Sequence, residues 1–411
     1  MKIREEFLGF EAVVNQTGDA LCNIILQKLT DFGLAVEFLR GQSYDGGANM
    51  SGSLRGVQAR IIEQQPLALY THCASHRLNL VISKACSVPV IRNTLQIITE
   101  LTNFIRQSSK RVQLMKEKIS EHDPEEKRLK LKSLCETRWV ERHDAILQFK
   151  DMYNAIVSFL EIITDIAGQG STFLHAITKF EFIIALEILT TFFGQLQNPA
   201  VEIYNCYDII QIILEKLQHY RNTEECYNNV FEKAVNVAEE HEIPVTMPRT
   251  LRKQVYRANI TSQNPKEYFR LNVFLPFLDF FVAELSNRFS PEQHRNIMIL
   301  SRLIPGYITK DFKDGLINAA LFYKADLPGT ISEMEAEFDL WEQYWLRTER
   351  KDRPCTAIEA FQFTLDNQFY PNIKELLHIL CVIPVTTSTA ERSFSTLRRV
   401  KTYLRSTMGE A

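Results

Sequence analysis

Between residues 140 and 345 the chain repeats leucine, isoleucine and phenylalanine at three- and four-residue spacing, as in HDAILQFKDMYNAIVSFLEII and FEFIIALEILTTFFGQL. Glycine is scarce there and apolar residues do not alternate with polar ones. That spacing lines one stripe of an α-helix and denies a strand its two-residue period. The middle of the chain is thereby committed to helix packing, and the lack of a fixed-length repeat argues against a solenoid.

The flanks read differently. Residues 1–107 mix short strand-like runs with helical ones, an α/β pattern. EEFLGFEAVV reads as a strand and its turn, LAVEFL (34–39) as a strand and ALYTHC (68–73) as a short strand. GDALCNIILQKLTDFGL places Leu21, Ile25, Leu29 and Phe32 at helical spacing and ends near Gly33, a suitable cap. SLRGVQARIIEQQ (53–65) and HRLNLVISKAC read as helices. Residues 108–139 carry interleaved acids and bases, which fits a solvated helix, a loop around Asp123–Pro124 and a further helix better than a nucleic-acid-binding strip. From residue 346 a polar linker, LRTERKDRPC, leads to an apolar stretch and then to a basic amphipathic helix. This sets three parts at 1–107, 108–345 and 346–411.

Bulk properties exclude several classes. The net charge of −3 is no global basic signature for nucleic acid, although a local basic face fits within it. The start, MKIREEFLGF, has no apolar signal region, and the most apolar window (180–194) carries Glu181 and Glu187 and is too short for a membrane span. The chain is therefore expected to be soluble, with no membrane partner. The eight cysteines form no CxxC pair. His72, Cys73 and His76 in THCASH cannot close a structural zinc site without a ligand from elsewhere.

Several residues invite chemistry. Asp45, in GQSYDGGANM, follows a strand-like run and precedes two glycines. A carboxylate at a strand end sits where ligands gather in α/β folds, yet Asp-Gly is also an ordinary turn and Asp an ordinary helix cap. Glu391 meets the same contest, since Ser388–Glu391 fits a capping box. Cys73 reads as a small core residue and His76 as a side chain at a helix start, facing phosphate or water. Arg138 offers a fork for phosphate, and Trp139 offers a stacking plane for an unpaired base or a core side chain.

In order, GQSYDGGANMSG, HCASHRLNLV, ETRW, a long helical stretch and IPVTTSTAERSFSTLRRVKTYLRSTM resemble the hAT transposase superfamily, and more closely its transposon-derived host proteins with zinc-finger-MYM-like or THAP/TTF-type relatives. The resemblance covers essentially the whole chain. It implies α/β plus all-α architecture: a ribonuclease-H-like domain interrupted by a helical insertion, and a C-terminal dimerisation region. It implies three carboxylates holding Mg2+ or Mn2+ for DNA cleavage, with Asp45 matching the second and Glu391 the third. Cys73 and His76 match the family's CxxH motif, whose histidine lies near the scissile phosphate; Arg138 and Trp139 match its TRW motif, whose tryptophan stacks on flipped DNA. Residues 355–411 match the dimerisation region, implying a homo-oligomer, a possible DNA partner and a nuclear location.

The departure is the first acid. Only 44 residues precede Asp45, IREEFLGF looks like the family's third strand, and neither Asp19 nor Asp31 is placed on a strand. The expectation is an N-terminally truncated, incomplete ribonuclease-H-like sheet with an exposed edge. Three functions remain open: a relic or domesticated, inactive transposase-like protein acting through dimerisation, an active metal-dependent transposase or nuclease, and a helical scaffold without a DNA role.

Overall fold

The computed structural model describes residues 4, 6–44, 46–72, 74–134, 139–164, 168–193, 203–248, 262, 264–289, 295–308, 312–313, 315–384 and 393. The chain divides into two units, one of residues 1–77, 201–208 and 289–411, the other of residues 78–200 and 209–288. These limits differ from the divisions at 107/108 and 345/346 read from composition, because the helix after residue 88 turns its apolar face to helices of the middle of the chain.

In the first unit, α1 (Gly18–Asp31) begins where the Thr17 side chain accepts from the Ala20 amide. It ends in paired bonds from Gly33 N to Thr30 O and from Leu34 N to Leu29 O, the cap expected at this glycine. Strand β1 (Gly41–Tyr44) is followed by the single turn α2 (Ala48–Ser51), then α3 (Val57–Gln64), β2 (Leu69–His72) and α4 (Ala74–Ala85). The two strands are parallel, with Gly41 opposite Leu69 and Tyr44 opposite His72. Cys22, Val57, Ile61 and Ala68 form a small core with Leu21, Ile25 and Tyr44 packed against it.

Three local expectations are corrected. LAVEFL is not a strand: Val36–Phe38 is a 3-10 turn with Phe38 74% exposed, and the strand is the more polar GQSY. The physical reason is fit. A Cβ at Gly41 would stand 2.5 Å from Pro384 Cδ, so only glycine lets Ile383 and Pro384 lie against β1. Residues 6–16 hold no regular structure, so EEFLGFEAVV supplies no strand; Phe7 and Leu8 stay exposed and no strand among the described residues pairs with them. Residues 126–134 are irregular rather than helical, since the buried Gln148 side chain takes the Lys132 amide at 2.8 Å and donates to the Lys130 carbonyl at 2.9 Å.

Helices are the only regular elements of the second unit among its described residues. It comprises α5 (Pro89–Arg106), α6 (Ser109–His122), α7 (Trp139–Asp151), α8 (Tyr153–Thr164), α9 (Gly168–Ile177), α10 (Phe180–Phe193), most of α11 (Ile203–Asn222), α12 (Glu225–Glu240), α13 (Pro265–Phe269) and α14 (Leu275–Arg288). Helix α10 is apolar on every side, which is the pattern of a buried helix, and twelve of its residues are buried. It lies against α5, α7 and α12. α5 presents Ile91, Leu95, Ile98 and Ile105 at helical spacing to this core.

The chain then returns to the first unit through α15 (Arg295–Leu300), α16 (Leu316–Leu321), α17 (Ile331–Arg347), α18 (Ala357–Asp366) and α19 (Pro371–Val382). Capping boxes at Thr330–Glu333 and Thr356–Glu359 start α17 and α18. Their core gathers Trp341, Phe338, Phe361, Leu376 and Leu377, and the Trp341 indole donates to the Leu303 carbonyl at 2.9 Å. Among the described residues, no helix is long and apolar enough to cross a membrane.

Candidate functional site

The parallel pair β1–β2 is covered on both faces, as such sheets require. Gln42, buried, donates to the carbonyls of Gln58 and Ala68 on the side of α3. Thr71, which faces the other way, donates its hydroxyl to the Pro384 carbonyl. Arg40, just before β1, grips Asp326 through two guanidinium nitrogens, fastening the strand to the C-terminal helices. The apolar chain of Ile383–Pro384 thus reaches the sheet beside its two strands.

At the C-terminal end of the strands a row of rings forms. Tyr44 and Tyr70 stack with centroids 6.1 Å apart, Tyr70 lies 6.1 Å from His72, and His72 stacks on His76 at 5.7 Å with an interplanar angle of 19°. Burial pushes the Tyr44 phenol far above its ordinary value, so it stays protonated. His76 sits in the first turn of α4. The backbone of Gly46 passes so close that a Cβ there would stand 2.9 Å from His76 Nε2 and 3.3 Å from His72 Cε1. Gly46 therefore lets its backbone and the first turn of α4 meet at one point, where parallel α/β sheets bind ligands.

Of the residues singled out from sequence, His76 is placed at this point. Asp45, Cys73, Arg138 and Glu391 lie outside the described residues, as does the basic segment from residue 394 onward. Trp139 opens α7, and its side chain lies outside the described set. Asp19 is in the first turn of α1, paired with Arg60 at 2.7 Å, and Asp31 ends that helix; neither is on a strand. Sequence reading named His72 only as a possible metal ligand and missed Tyr44 and Tyr70. The two-residue spacing of Tyr70 and His72 in LYTH was the signal that they share a face.

The described donors here are imidazole nitrogens and phenols. They suit hydrogen bonding to a phosphate or proton transfer. By themselves they do not fit Mg2+, which takes oxygen ligands and carboxylates. Among the described residues, no group of three or more His, Cys, Asp or Glu is placed to hold a metal.

Comparison with known proteins bears on this arrangement. Residues 1–56 match the family described as ZMYM1/FAM200, RNase-like domain, and residues 347–411 match the hAT family C-terminal dimerisation region. Over these two stretches the chain is similar to hAT-type proteins. The 52 kDa repressor of the inhibitor of the protein kinase from Mus musculus is 29% identical over 432 residues, which is 99% of this chain and 56% of that protein. Its Homo sapiens counterpart is 29% identical over 431 residues, with the same coverage. The chain thus spans about half the length of the curated relatives it matches. The dimerisation match takes in all of α18 and α19, whose C-terminal exit at Ile383–Pro384 is the segment lying on β1.

Proposed function

We propose that this chain is a domesticated hAT transposase-like protein that works by self-association through residues 355–411 rather than by DNA strand transfer. The observation that carries the reading is the dimerisation match laid over the α18–α19 pair. These helices fill their own core with Phe361, Ile373, Leu376 and Leu377 and leave Ile358, Phe369 and Val382 exposed at 52%, 76% and 44%. Apolar side chains left exposed on a module of this kind suit a protein partner, here a second copy. In this reading β1, β2 and the returning C-terminal segment belong to a ribonuclease-H-like core interrupted by the helical unit. The protein acts in the nucleus, as the name repressor suggests for the relatives.

Sedimentation velocity on the full chain tests it. The parent is expected to sediment as a dimer or larger, and Ile358→Glu with Phe369→Glu to weaken association by about tenfold or more, the loss of one or two interface anchors. A parent that stays monomeric, or a double variant that sediments like it, defeats the reading.

A second reading, metal-dependent DNA cleavage with Mg2+ or Mn2+, is favoured by the close approach of Gly46 to His76. It gives Asp45 and Glu391 the metal, His76 with Cys73 the CxxH place near phosphate, and Arg138 and Trp139 the DNA. Among the described residues no strand carries a carboxylate to serve as the third. The first reading expects no cleavage of hairpin or terminal-repeat DNA with either metal; cleavage abolished by Asp45→Asn would establish the second. Salt-sensitive DNA binding separates both from a scaffold with no DNA role.

A further inference from the structure

The helical unit holds a cleft of about 580 Å³ between the end of α5, the start of α6 and the irregular segment that follows α6. Ile105, Val112, Met115, Leu129 and Leu131 give it an apolar floor, and Arg106, Lys130 and Lys132 give it a cationic rim. No acid is among the residues lining it. Lys132 is already paired with Asp144 at 3.0 Å. Arg106 and Lys130 are exposed and make no side-chain hydrogen bond or ion pair among the described residues.

The backbone supplies a further feature. Gln148 holds the chain on both sides of Leu131, through the Lys130 carbonyl and the Lys132 amide. Leu131 itself is 6% exposed, and its own N–H and C=O make no hydrogen bond among the described residues. An amide without a bond among the described residues, beside an apolar floor and two cations, is a ready further donor for a negative group. The volume falls in the range of small-molecule sites.

We infer that this cleft binds an amphipathic organic anion, an apolar body carrying a carboxylate, sulfonate or phosphate. The body lies on Ile105, Val112, Met115 and Leu131, and the anionic group lies between Arg106 and Lys130. The site is separate from the ring row at Gly46 and His76 and does not depend on self-association.

The test uses the full chain and anilinonaphthalene sulfonate as the probe, read by fluorescence titration. Saturable binding at one site is expected. Arg106→Gln with Lys130→Gln should weaken it by about tenfold, the scale of losing charge-assisted bonds, and added salt should weaken parent binding in the same direction. Val112→Trp, which fills the cleft from a partly buried position on α6, should abolish it. Decyl phosphate and decanoate should displace the probe. Because all three substituted side chains are at least partly exposed, folding is not at stake, and circular dichroism checks it. Non-saturable binding overturns the inference, as does parent-like binding by either the double charge variant or Val112→Trp.

Discussion

Lys150→Ala destabilises the helical unit by about 3 kcal/mol, whereas Glu187→Leu costs far less. The asymmetry follows from where the two charges sit. Lys150 Nζ lies 2.6 Å from Glu187 Oε2, but the Glu187 side chain is only 3% exposed while that of Lys150 is 34% exposed. Removing the lysine leaves a carboxylate stranded on α10 among Ile183, Ile184 and Ile188. Removing the carboxylate leaves an ammonium that can turn its flexible stem to water, and leucine restores apolar volume where burial is complete. Urea denaturation with hydrogen exchange read at residues 180–193 measures both. Equal losses from the two substitutions would show that the pair does not govern this helix.

Glu337→Ala is the corresponding cut in the C-terminal helices, with an expected loss of about 3 kcal/mol. The Glu337 carboxylate, on α17, accepts from the Asn372 amide at 2.9 Å, the Asn372 side chain at 2.6 Å and the Ile373 amide at 3.0 Å. Those backbone amides open α19, where Pro371 takes the first position and Tyr370 offers no side-chain cap. A glutamate from a neighbouring helix thus does the work of an N-cap and also complements the positive end of the helix. Asn372 passes the order on, accepting from the Gly329 amide at 3.0 Å. Burial pushes the Glu337 carboxyl above its ordinary value of 4.5, against the opposing pull of these hydrogen bonds. The folded protein therefore holds this proton to higher pH than the unfolded chain does. Its contribution is complete below 4.5 and is lost as pH rises through the folded value. Thermal melts should show the parent gaining on Glu337→Gln as pH falls from neutrality towards 4.5. A parent that loses ground over that window would mean that the hydrogen bonds outweigh desolvation.

Helices were legible because their evidence is local. The three- and four-residue spacing that marked residues 140–345 is what buries α10 and builds α8 and α12 around Ile156, Leu160, Tyr227 and Phe231. The strands were not legible in the same way. LAVEFL has the composition of a strand and GQSY does not, yet GQSY is β1, because Gly41 must accommodate Pro384 and Arg40 must meet Asp326. Both partners lie hundreds of residues away, beyond any local window. The candidate site divides in the same manner. The DGG turn and the HCASH helix announced themselves by residue type, and His76 does stand beside Gly46. The ring row through Tyr44, Tyr70 and His72 depended on parallel register, which only pairing sets.

The bond from Thr71 to Pro384 closes a separation of 313 residues. During synthesis at 5–20 residues per second, β2 leaves the ribosome about 15–60 s before the segment that covers it. The helical unit is made entirely within that interval, and its contacts can form while the strands wait. The waiting surface includes Phe32, Leu34 and Phe38, which are exposed even in the finished fold. Nascent chains stalled before and after residue 384 should therefore differ sharply in protease resistance around β1 and hardly at all around α10. This protein would then assemble from its middle outward, with its oldest strands secured last.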